Sequence, residues 1–339
     1  MLRALLFGLA LIAAAPVAAA PTIDRSIPAI ERLIRKDVAD GFSGTVLIAR
    51  GDRVLIDRGY GSVHGVRMRP GTRYWISSTG KQFVAAAVLR LEEQGKLSLD
   101  DPIARFLPEA PVDKRAITIA QLLSHTSGIV QGYEGEASAS NAEAVRRILA
   151  VPLETSRAHR FVYSNENYQL AAAIVERVSG LTYQEFEQRY FFVPLGMKNT
   201  GIAQGPAGIA PTRDPTPQRL LKPNWGIEGH YSSARDLFRW YRDLRGGKVL
   251  NNASLDQLWA PVVPIGEGQA ALGWFLTTTP RGSHRVWTRG NDDFGPNSLI
   301  YAYPDQDLVI VILTHAGQKT DDISYSRALV SDFEQALAL

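Results

Sequence analysis

The chain has 339 residues, of which 45% are hydrophobic and 21% are charged, and its formal net charge is +3. This composition is typical of a globular protein large enough to bury its own core, and the lack of a Lys/Arg block or a basic stripe interleaved with aromatics argues against a nucleic-acid partner. The absence of cysteine excludes disulfides, thiol nucleophiles and Cys-based zinc sites.

The first twenty residues have the features of a secretory signal peptide. Arg3 provides a positive start, an apolar run extends from Ala4 to Pro16, and a stretch rich in small residues follows. We place the cleavage after Ala19. We therefore expect a single domain of residues 20–339, exported to the periplasm or secreted by a bacterial cell. Because the apolar run is shorter than a membrane span, we expect no stable membrane anchor after cleavage.

The residues that follow predict a helix and then a β-hairpin. Isoleucine and valine recur at helical intervals through residues 23–38. Ser43–Arg50 and Arg53–Arg58 have the composition of strands, and the Gly51-Asp52 pair between them favours a tight hairpin turn. Gly59-Tyr60-Gly61 has the wrong glycine spacing for a dinucleotide-binding fingerprint, and we interpret it as a loop.

The middle of the chain, about residues 97–245, is predicted to be mainly helical. It is preceded by a helix from Ser78 to about Gln94, which Gly95 ends in the usual terminal position. Helical periodicity then recurs in Thr118–Ser124, Asn141–Leu149, Tyr168–Val178, Tyr183–Phe191 and Ser233–Leu244.

The last part of the chain returns to strands. The extended segments are Leu272–Thr278, Arg285–Thr288, Ser298–Tyr303 and Leu308–Thr314, and a final helix covers about Asp321–Leu337. Strands therefore lie in two terminal portions, about 22–96 and 246–339. We predict one sheet assembled from both portions with the helical region inserted between them, and a site in the cleft between sheet and insert.

Ser78-x-x-Lys81 is the first candidate for catalysis. Two side chains three residues apart on a helix lie on the same face and can touch. A serine hydroxyl is a poor nucleophile until a base takes its proton, and a lysine whose pKa is lowered by burial or positive neighbours can be that base. The alternative is an ordinary serine at the start of a helix beside a solvated lysine.

Tyr163-Ser164-Asn165 is the second candidate. A phenol can relay a proton to a leaving group, and an amide side chain can hold a substrate carbonyl. By itself this segment is equally typical of a loop that caps the following helix.

Together, Ser78-x-x-Lys81 and Tyr163-x-Asn165 resemble the motifs of the penicillin-recognising serine hydrolases, which include class C β-lactamases, DD-peptidases and related carboxylesterases. Further segments are similar to that family and extend the resemblance from about Ile30 to the C-terminus. They are Gln121–Ile129, Pro194-Leu195-Gly196-Met197 with Thr200, and Ser232–Leu237.

The resemblance implies an α+β fold, in which a mostly antiparallel sheet is flanked by helices and carries an all-helical subdomain. It implies that Ser78 is acylated, that Lys81 accepts its proton and that Tyr163 assists proton transfer to the leaving group. Asn165 would position the substrate amide or ester, and the backbone N–H of Ser78 would form half of an oxyanion hole.

The third motif of the family is altered in this chain. The family has Lys or His, a small residue and Gly on a strand that lines the site, whereas the matching residues here are Thr288-Arg289-Gly290. Asn291 would then provide the second oxyanion amide, and Thr288, Gly290 and Asn291 are candidate substrate-binding residues. Because the missing Lys or His helps to bind the carboxylate of β-lactams and peptides, we expect weak β-lactamase activity.

Other kinds of site find little support. The six histidines never fall into a metal-ligand spacing such as H-E-x-x-H, and we expect neither a metal nor a cofactor. No G-x-S-x-G elbow is present, which argues against the α/β-hydrolase route to a serine enzyme.

Two functions remain open at this point. The first is a serine hydrolase that acts on an amide or ester bond of a small-molecule or peptide substrate. The second, motivated by the altered third motif, is a catalytically weak or inactive penicillin-binding type of protein that binds cell-wall peptides or a protein partner.

Overall fold

The computed structural model describes residues 23–339 apart from 137, 155, 157, 204–206 and 215–228, so the predicted signal peptide lies outside the described residues. The helices are α1 (Ile23–Ala39), α2 (Lys81–Glu93), α3 (Ile119–Leu123), α4 (Asn141–Ala150), α5 (Asn165–Ser179), α6 (Tyr183–Glu187), α7 (Ala234–Arg245), α8 (Asn252–Leu258) and α9 (Tyr325–Leu337). The strands are β1 (Gly44–Arg50), β2 (Arg53–Tyr60), β3 (Ser62–Val63), β4 (Val66–Arg67), β5 (Tyr74–Trp75), β6 (Gly201–Ile202), β7 (His230–Ser232), β8 (Val263–Ile265), β9 (Gly268–Ala270), β10 (Phe275–Thr278), β11 (His284–Asn291), β12 (Asn297–Tyr303), β13 (Leu308–Thr314), β14 (Gln318–Thr320) and β15 (Ile323–Ser324).

An eight-stranded sheet forms the centre of the fold. Its strands lie in the order β2-β1-β13-β12-β11-β10-β9-β8, and neighbouring strands are antiparallel. β1 pairs along its whole length with β13, from Gly44 opposite Thr314 to Arg50 opposite Leu308. The fold is therefore α+β, with a sheet built from both terminal portions of the chain, as the sequence predicts.

Both faces of the central strands are buried, which explains their almost continuous apolar sequence. Alternate residues point to opposite faces of a strand. One face packs with α1 and α9 and includes Val46, Ile48, Leu299, Ile310 and Ile312. The other face belongs to the same core as α2, α5 and α7 and includes Leu47, Ala49, Ile300, Val309 and Val311.

Two segments that carry the family resemblance, Pro194–Thr200 and Ser232–Leu237, contact each other. The hydroxyl of Thr200 lies 2.8 Å from the Ser232 hydroxyl and donates a hydrogen bond of 3.1 Å to the carboxylate of Asp236. The backbone N–H of Asn199 donates to the same carboxylate at 2.7 Å. Burial raises the pKa of Asp236. These contacts lie at the three-stranded sheet β5-β7-β6. Strand β5 of this sheet leads directly to Ser78.

Most predicted elements form, with differences at their ends. The hairpin around Gly51-Asp52 is present. The loop interpretation of Gly59-Tyr60-Gly61 is wrong for its first two residues, because Gly59 pairs with Thr45 and Tyr60 with Gly44 at the end of β2. The last helix begins at Tyr325 rather than Asp321, because β14 and β15 form a small hairpin before it. The two- and three-residue strands and α8 are too short for periodicity to reveal them.

His315 fixes the loop 207–214 against β5. Its side chain is fully buried, its Nε2 accepts a hydrogen bond of 2.9 Å from the backbone N–H of Trp75, and its Nδ1 donates to the carbonyl of Ala210 at 3.0 Å. Burial is the main cause that lowers the pKa of His315 from 6.5 to about 4. The folded protein therefore holds a neutral imidazole here in the range where an unfolded histidine becomes charged.

This buried imidazole makes stability depend on pH. Between pH 6.5 and 4 the unfolded chain binds a proton at residue 315 that the folded chain excludes, so the free energy of unfolding falls as the pH falls. From pH 7 to pH 5 we expect a loss of about 2 kcal/mol from this residue. Urea unfolding at several pH values measures this loss. His315→Gln keeps a hydrogen-bond donor and an acceptor but cannot bind the proton. In this variant the free energy of unfolding should therefore depend less steeply on pH, by the equivalent of about one proton. An unchanged slope in a folded His315→Gln variant would contradict the assignment.

Candidate active site

Ser78 and Lys81 touch as the sequence predicts, but on a different local structure. Residues Ser77–Gly80 form a 3₁₀ turn, and α2 begins at Lys81 rather than at Ser78. Side chains at i and i+3 of a 3₁₀ turn are nearly eclipsed, so the pairing survives the change. Lys81 is 3% exposed, and its Nζ donates a hydrogen bond of 3.0 Å to the Ser78 hydroxyl, which is half-buried.

The turn that carries Ser78 is anchored on both sides. Ser77 has a left-handed backbone with φ of 48°, which is unfavourable for a residue with a side chain. Its hydroxyl donates a hydrogen bond to the carboxylate of Asp292. On the other side, the Ser298 hydroxyl donates to the carbonyl of Ile76 at 2.6 Å and lies 2.7 Å from the Thr79 hydroxyl. These contacts explain how the strained residue Ser77 is kept next to Ser78.

Gly290 permits β11 to approach this turn. A Cβ at residue 290 would lie 2.3 Å from the carbonyl oxygen of Ile76 and 2.8 Å from the Cβ of Ser77. Gly80 has a similar role on the opposite side, where a Cβ would lie 2.4 Å from Nδ1 of the buried His230. The turn is thus held between the backbone of β11 on one side and the His230 side chain of β7 on the other.

Tyr163 reaches Ser78 from the helical region. Its hydroxyl lies 2.6 Å from the Ser78 hydroxyl, and Nζ of Lys81 lies 5.2 Å from the centroid of its ring. The ring packs on His125 with centroids 4.5 Å apart. Burial, and next the positive charge of Lys81, lower the pKa of His125 to about 3. His125 is therefore a neutral support for Tyr163, and its Nδ1 accepts a hydrogen bond of 3.2 Å from the backbone N–H of Ser164.

Asn165 is the first residue of α5 and lies in the wall of the cleft. Its Oδ1 is buried, and no described residue offers it a hydrogen bond. The neighbouring Glu166, which sequence reasoning missed, is 2% exposed. Its carboxylate accepts hydrogen bonds from the Ser164 hydroxyl at 2.9 Å and the Gly132 N–H at 3.0 Å. Glu166 thereby ties the start of α5 to the loop that carries Gln131 and Tyr133.

The residues of β11 divide between two cavities. Asn291 lines the open cleft, and Thr288, which is 2% exposed, lines a small cavity of about 20 Å³ beside Ser78 and Lys81. Arg289 lines both cavities. Partial burial, and next the positive charge of Arg327, lower the pKa of Arg289. The Oδ1 of Asn291 accepts hydrogen bonds from the side chains of Asn297 and Gln318 at 2.8 and 3.2 Å. Gly290 faces the Ser78 turn, so its contribution is the close approach of the backbone.

The cleft next to Ser78 has a volume of about 800 Å³, which is within the range of small-molecule and peptide sites. Sequence reasoning found four of the residues that line it: Ser78, Tyr163, Asn165 and Asn291. Arg289 entered that reasoning only as part of the altered third motif, and Tyr133, Glu136, Phe161, Phe275 and Trp287 were missed. They are far apart in the sequence and belong to no recognised motif, so no local signal marks them.

Within the described residues, no group of three or more His, Asp or Glu side chains is arranged to hold a metal ion. None of the described helices is both long and apolar enough to cross a bilayer.

The profile of the Beta-lactamase family matches residues 30–332. The chain belongs to this family. It is the family of the penicillin-recognising serine hydrolases, and the motifs around Ser78 and Tyr163 fall inside the match. The altered residues Thr288-Arg289-Gly290 also fall inside it.

Curated and solved members of the family are similar over most of the chain. Penicillin-binding protein 4* of Bacillus subtilis (strain 168) is 26% identical over 335 residues, which cover 87% of this chain and 72% of that protein. The chain spans about three fifths of other curated relatives, at 59% and 63% of their length.

Two solved structures show the same fold. The penicillin binding protein from Bacillus halodurans superposes with a TM-score of 0.74 at 24% identity, covering 90% of this chain and 99% of that one. The D-amino acid amidase from Ochrobactrum anthropi SV3 has a TM-score of 0.79 at 18% identity, covering 93% and 99%. The family membership, together with the contact of Ser78, Lys81 and Tyr163, supports a serine hydrolase.

The close approach of β11 to the Ser78 turn can be tested by a substitution at Gly290. In Gly290→Ala the added methyl group must push β11 away from the turn, because the carbonyl oxygen of Ile76 is part of the backbone and cannot rotate aside. We expect a loss of about 1–3 kcal/mol in the free energy of unfolding, and a fall of about 100-fold in kcat/KM for an ester substrate, since small displacements of reacting groups cost that much.

Gly71→Ala is the matched control, because nothing lies within 4 Å of a Cβ at residue 71 and its φ is not positive. Urea unfolding and steady-state kinetics measure both variants. Wild-type stability and turnover in Gly290→Ala would show that β11 does not touch the turn as described.

Proposed function

We propose that this protein is a serine hydrolase that cleaves an amide or ester bond through an acyl-enzyme on Ser78. The observation that carries the proposal is the position of the Ser78 hydroxyl, 3.0 Å from Nζ of Lys81 and 2.6 Å from the Tyr163 hydroxyl, at the wall of an open cleft. A nucleophile between two proton-transfer groups is the arrangement that acyl transfer requires.

In the acylation step, Lys81 accepts the proton of the Ser78 hydroxyl while Oγ bonds to the carbonyl carbon. The backbone N–H groups of Ser78 and Asn291, which belong to the two segments that meet at Gly290, are proposed to hold the negative charge that develops on the carbonyl oxygen. Tyr163 passes a proton to the leaving nitrogen or oxygen as its bond to the carbonyl carbon breaks. Water then repeats the sequence in reverse and releases the acid.

Asn165 is proposed to orient the substrate. Its amide lies in the cleft wall, and the buried Oδ1 without a partner among the described residues is an acceptor for a substrate N–H. The backbone of Asn165 is held in place, because its N–H donates a hydrogen bond of 3.2 Å to the side chain of Gln131. A protein group that is already fixed can orient a substrate amide with little further loss of conformational entropy.

Thr288 bears on which bond is cleaved. It supplies a hydroxyl where the family supplies a Lys or His, and the small cavity that it lines has room for about one water molecule. The family's Lys or His is therefore replaced by an uncharged hydroxyl at this position, while Arg289 lines both the small cavity and the main cleft. We propose that esters or amides of small molecules or peptides are better substrates than β-lactams.

The same residue favours a second candidate, a penicillin-binding type of protein with weak or no turnover. In that case cell-wall peptides or a protein partner occupy the cleft without reaction. The presence of Ser78, Lys81, Tyr163 and Asn165 together argues for the hydrolase. For either function we propose export from the cytoplasm, on the features of residues 1–20.

Intact-mass spectrometry tests the proposal directly. After brief exposure to an activated ester or, separately, a β-lactam, we expect a mass increase equal to the acyl group or to the whole opened β-lactam. Ser78→Ala should lose both the increase and the turnover, because the hydroxyl that forms the bond is gone.

Ser62→Ala is the control, since Ser62 is exposed on β3 and outside the cleft. Far-UV circular dichroism should be the same in both variants. An adduct that persists in Ser78→Ala would refute Ser78 as the nucleophile. Binding of cell-wall peptides with neither adduct nor turnover in the wild type would favour the second candidate.

A further inference from the structure

Three aromatic side chains lie side by side in the cleft wall, and we call Phe161, Phe275 and Trp287 the aromatic row. Phe275 of β10 stands directly opposite Trp287 of β11, and their rings are stacked with centroids 4.6 Å apart. Phe161, from the loop before α5, meets Phe275 edge-on with centroids 6.1 Å apart. All three line the same 800 Å³ cleft as Ser78.

The aromatic row is not part of the hydrophobic core. Its three side chains are half-buried, whereas other large aromatic residues, such as Trp75, Trp240 and Trp274, are fully buried. Half-buried rings gathered at a cleft leave apolar surface in contact with water, which favours occupation by an apolar ligand group. Ile265 and Tyr133 line the same cleft.

The aromatic row begins beside the nucleophile. Phe275 lines both the cleft and the small cavity that contains Ser78 and Lys81. Phe161 precedes Tyr163 by two residues, and its ring packs on His125 at 5.5 Å, the same histidine that supports Tyr163. A group attached to the carbonyl carbon at Ser78 therefore meets these rings first.

The far end of the aromatic row is held in place before any ligand arrives. Trp287 packs on Tyr301 with centroids 5.6 Å apart, and the guanidinium of Arg289 lies 5.6 Å from the Trp287 centroid. Contacts on both sides of a ring restrict its rotation, so a ligand need not order it.

We propose that the aromatic row is the subsite for the acyl group of the substrate and selects an aromatic or large apolar group next to the carbonyl. This inference rests on the proposed serine hydrolase. Ring-to-ring contacts stabilise a bound aromatic group beyond the burial of its apolar area. In a hydrophobic pocket, the difference between a large apolar group and a small one gives a preference of about 10- to 100-fold in kcat/KM.

The test uses p-nitrophenyl esters, because their leaving group is constant while the acyl group varies. The acyl groups are acetyl, hexanoyl and phenylacetyl, and each kcat/KM is divided by the rate constant for hydroxide hydrolysis of the same ester. We expect the phenylacetyl ester to exceed the acetyl ester by at least about tenfold, with the hexanoyl ester between them.

The variants Phe275→Val and Trp287→Val keep a strand-forming residue but remove a ring, and we expect the phenylacetyl-to-acetyl ratio to fall close to one. Tyr190→Leu removes a half-buried ring outside the cleft and should keep the wild-type ratio. Thermal unfolding confirms that each variant is folded.

Equal corrected rates for all three esters in the wild type, or a ratio unchanged in both cleft variants, would overturn the aromatic row as a specificity site while leaving the hydrolase intact. Turnover of no ester, combined with no acyl adduct on Ser78, would overturn the proposed function itself and this inference with it.

Discussion

The backbone of β11 and the turn that carries Ser78 lie against each other with no side chain between them, and the rest of the site is arranged around this contact. Gly290 is the residue that allows it, since a Cβ there would fall 2.3 Å from the carbonyl oxygen of Ile76. The strand fixes the direction in which Arg289 and Asn291 project, and the turn fixes the Ser78 hydroxyl. A shift between the two would separate the nucleophile from the amide groups proposed to hold the oxyanion.

The helical region completes the site by a different kind of contact. Tyr163 reaches Ser78 through a hydroxyl, and it is kept there by ring packing on a neutral, fully buried His125. The backbone on both sides of Tyr163 is constrained, because His125 accepts hydrogen bonds from the N–H of Ser164 at Nδ1 and from the N–H of Val162 at its carbonyl. Glu166 adds a third restraint by binding the loop that carries Gln131 and Tyr133. Ring packing and hydrogen bonds thus hold Tyr163 beside Ser78.

The sequence predicts these features unequally, for physical reasons. The sheet, the hairpin and most helices follow from periodicity, because alternate burial in strands and a single apolar face in helices leave a local pattern. Ser78, Lys81 and Tyr163 follow from motifs with a short spacing. The start of α2 at Lys81 does not follow, because a 3₁₀ turn and an α-helix have similar side-chain spacing over three residues. Phe161, Phe275 and Trp287 meet only after the chain has folded, so no window of sequence contains their relation.

The pairing of β1 with β13 has a consequence for how the molecule acquires its structure. Residues near the start of the described chain must find residues 308–314 before the central sheet exists, and contacts between such distant segments form slowly. β11 and β12, which anchor the turn at Ser78, also come late in the chain. During synthesis, Ser78 and Lys81 therefore leave the ribosome long before the strand that organises their surroundings. Until β11 and β12 are in place, the chain holds these two residues without the contacts of Gly290 and Ser298 that fix the turn.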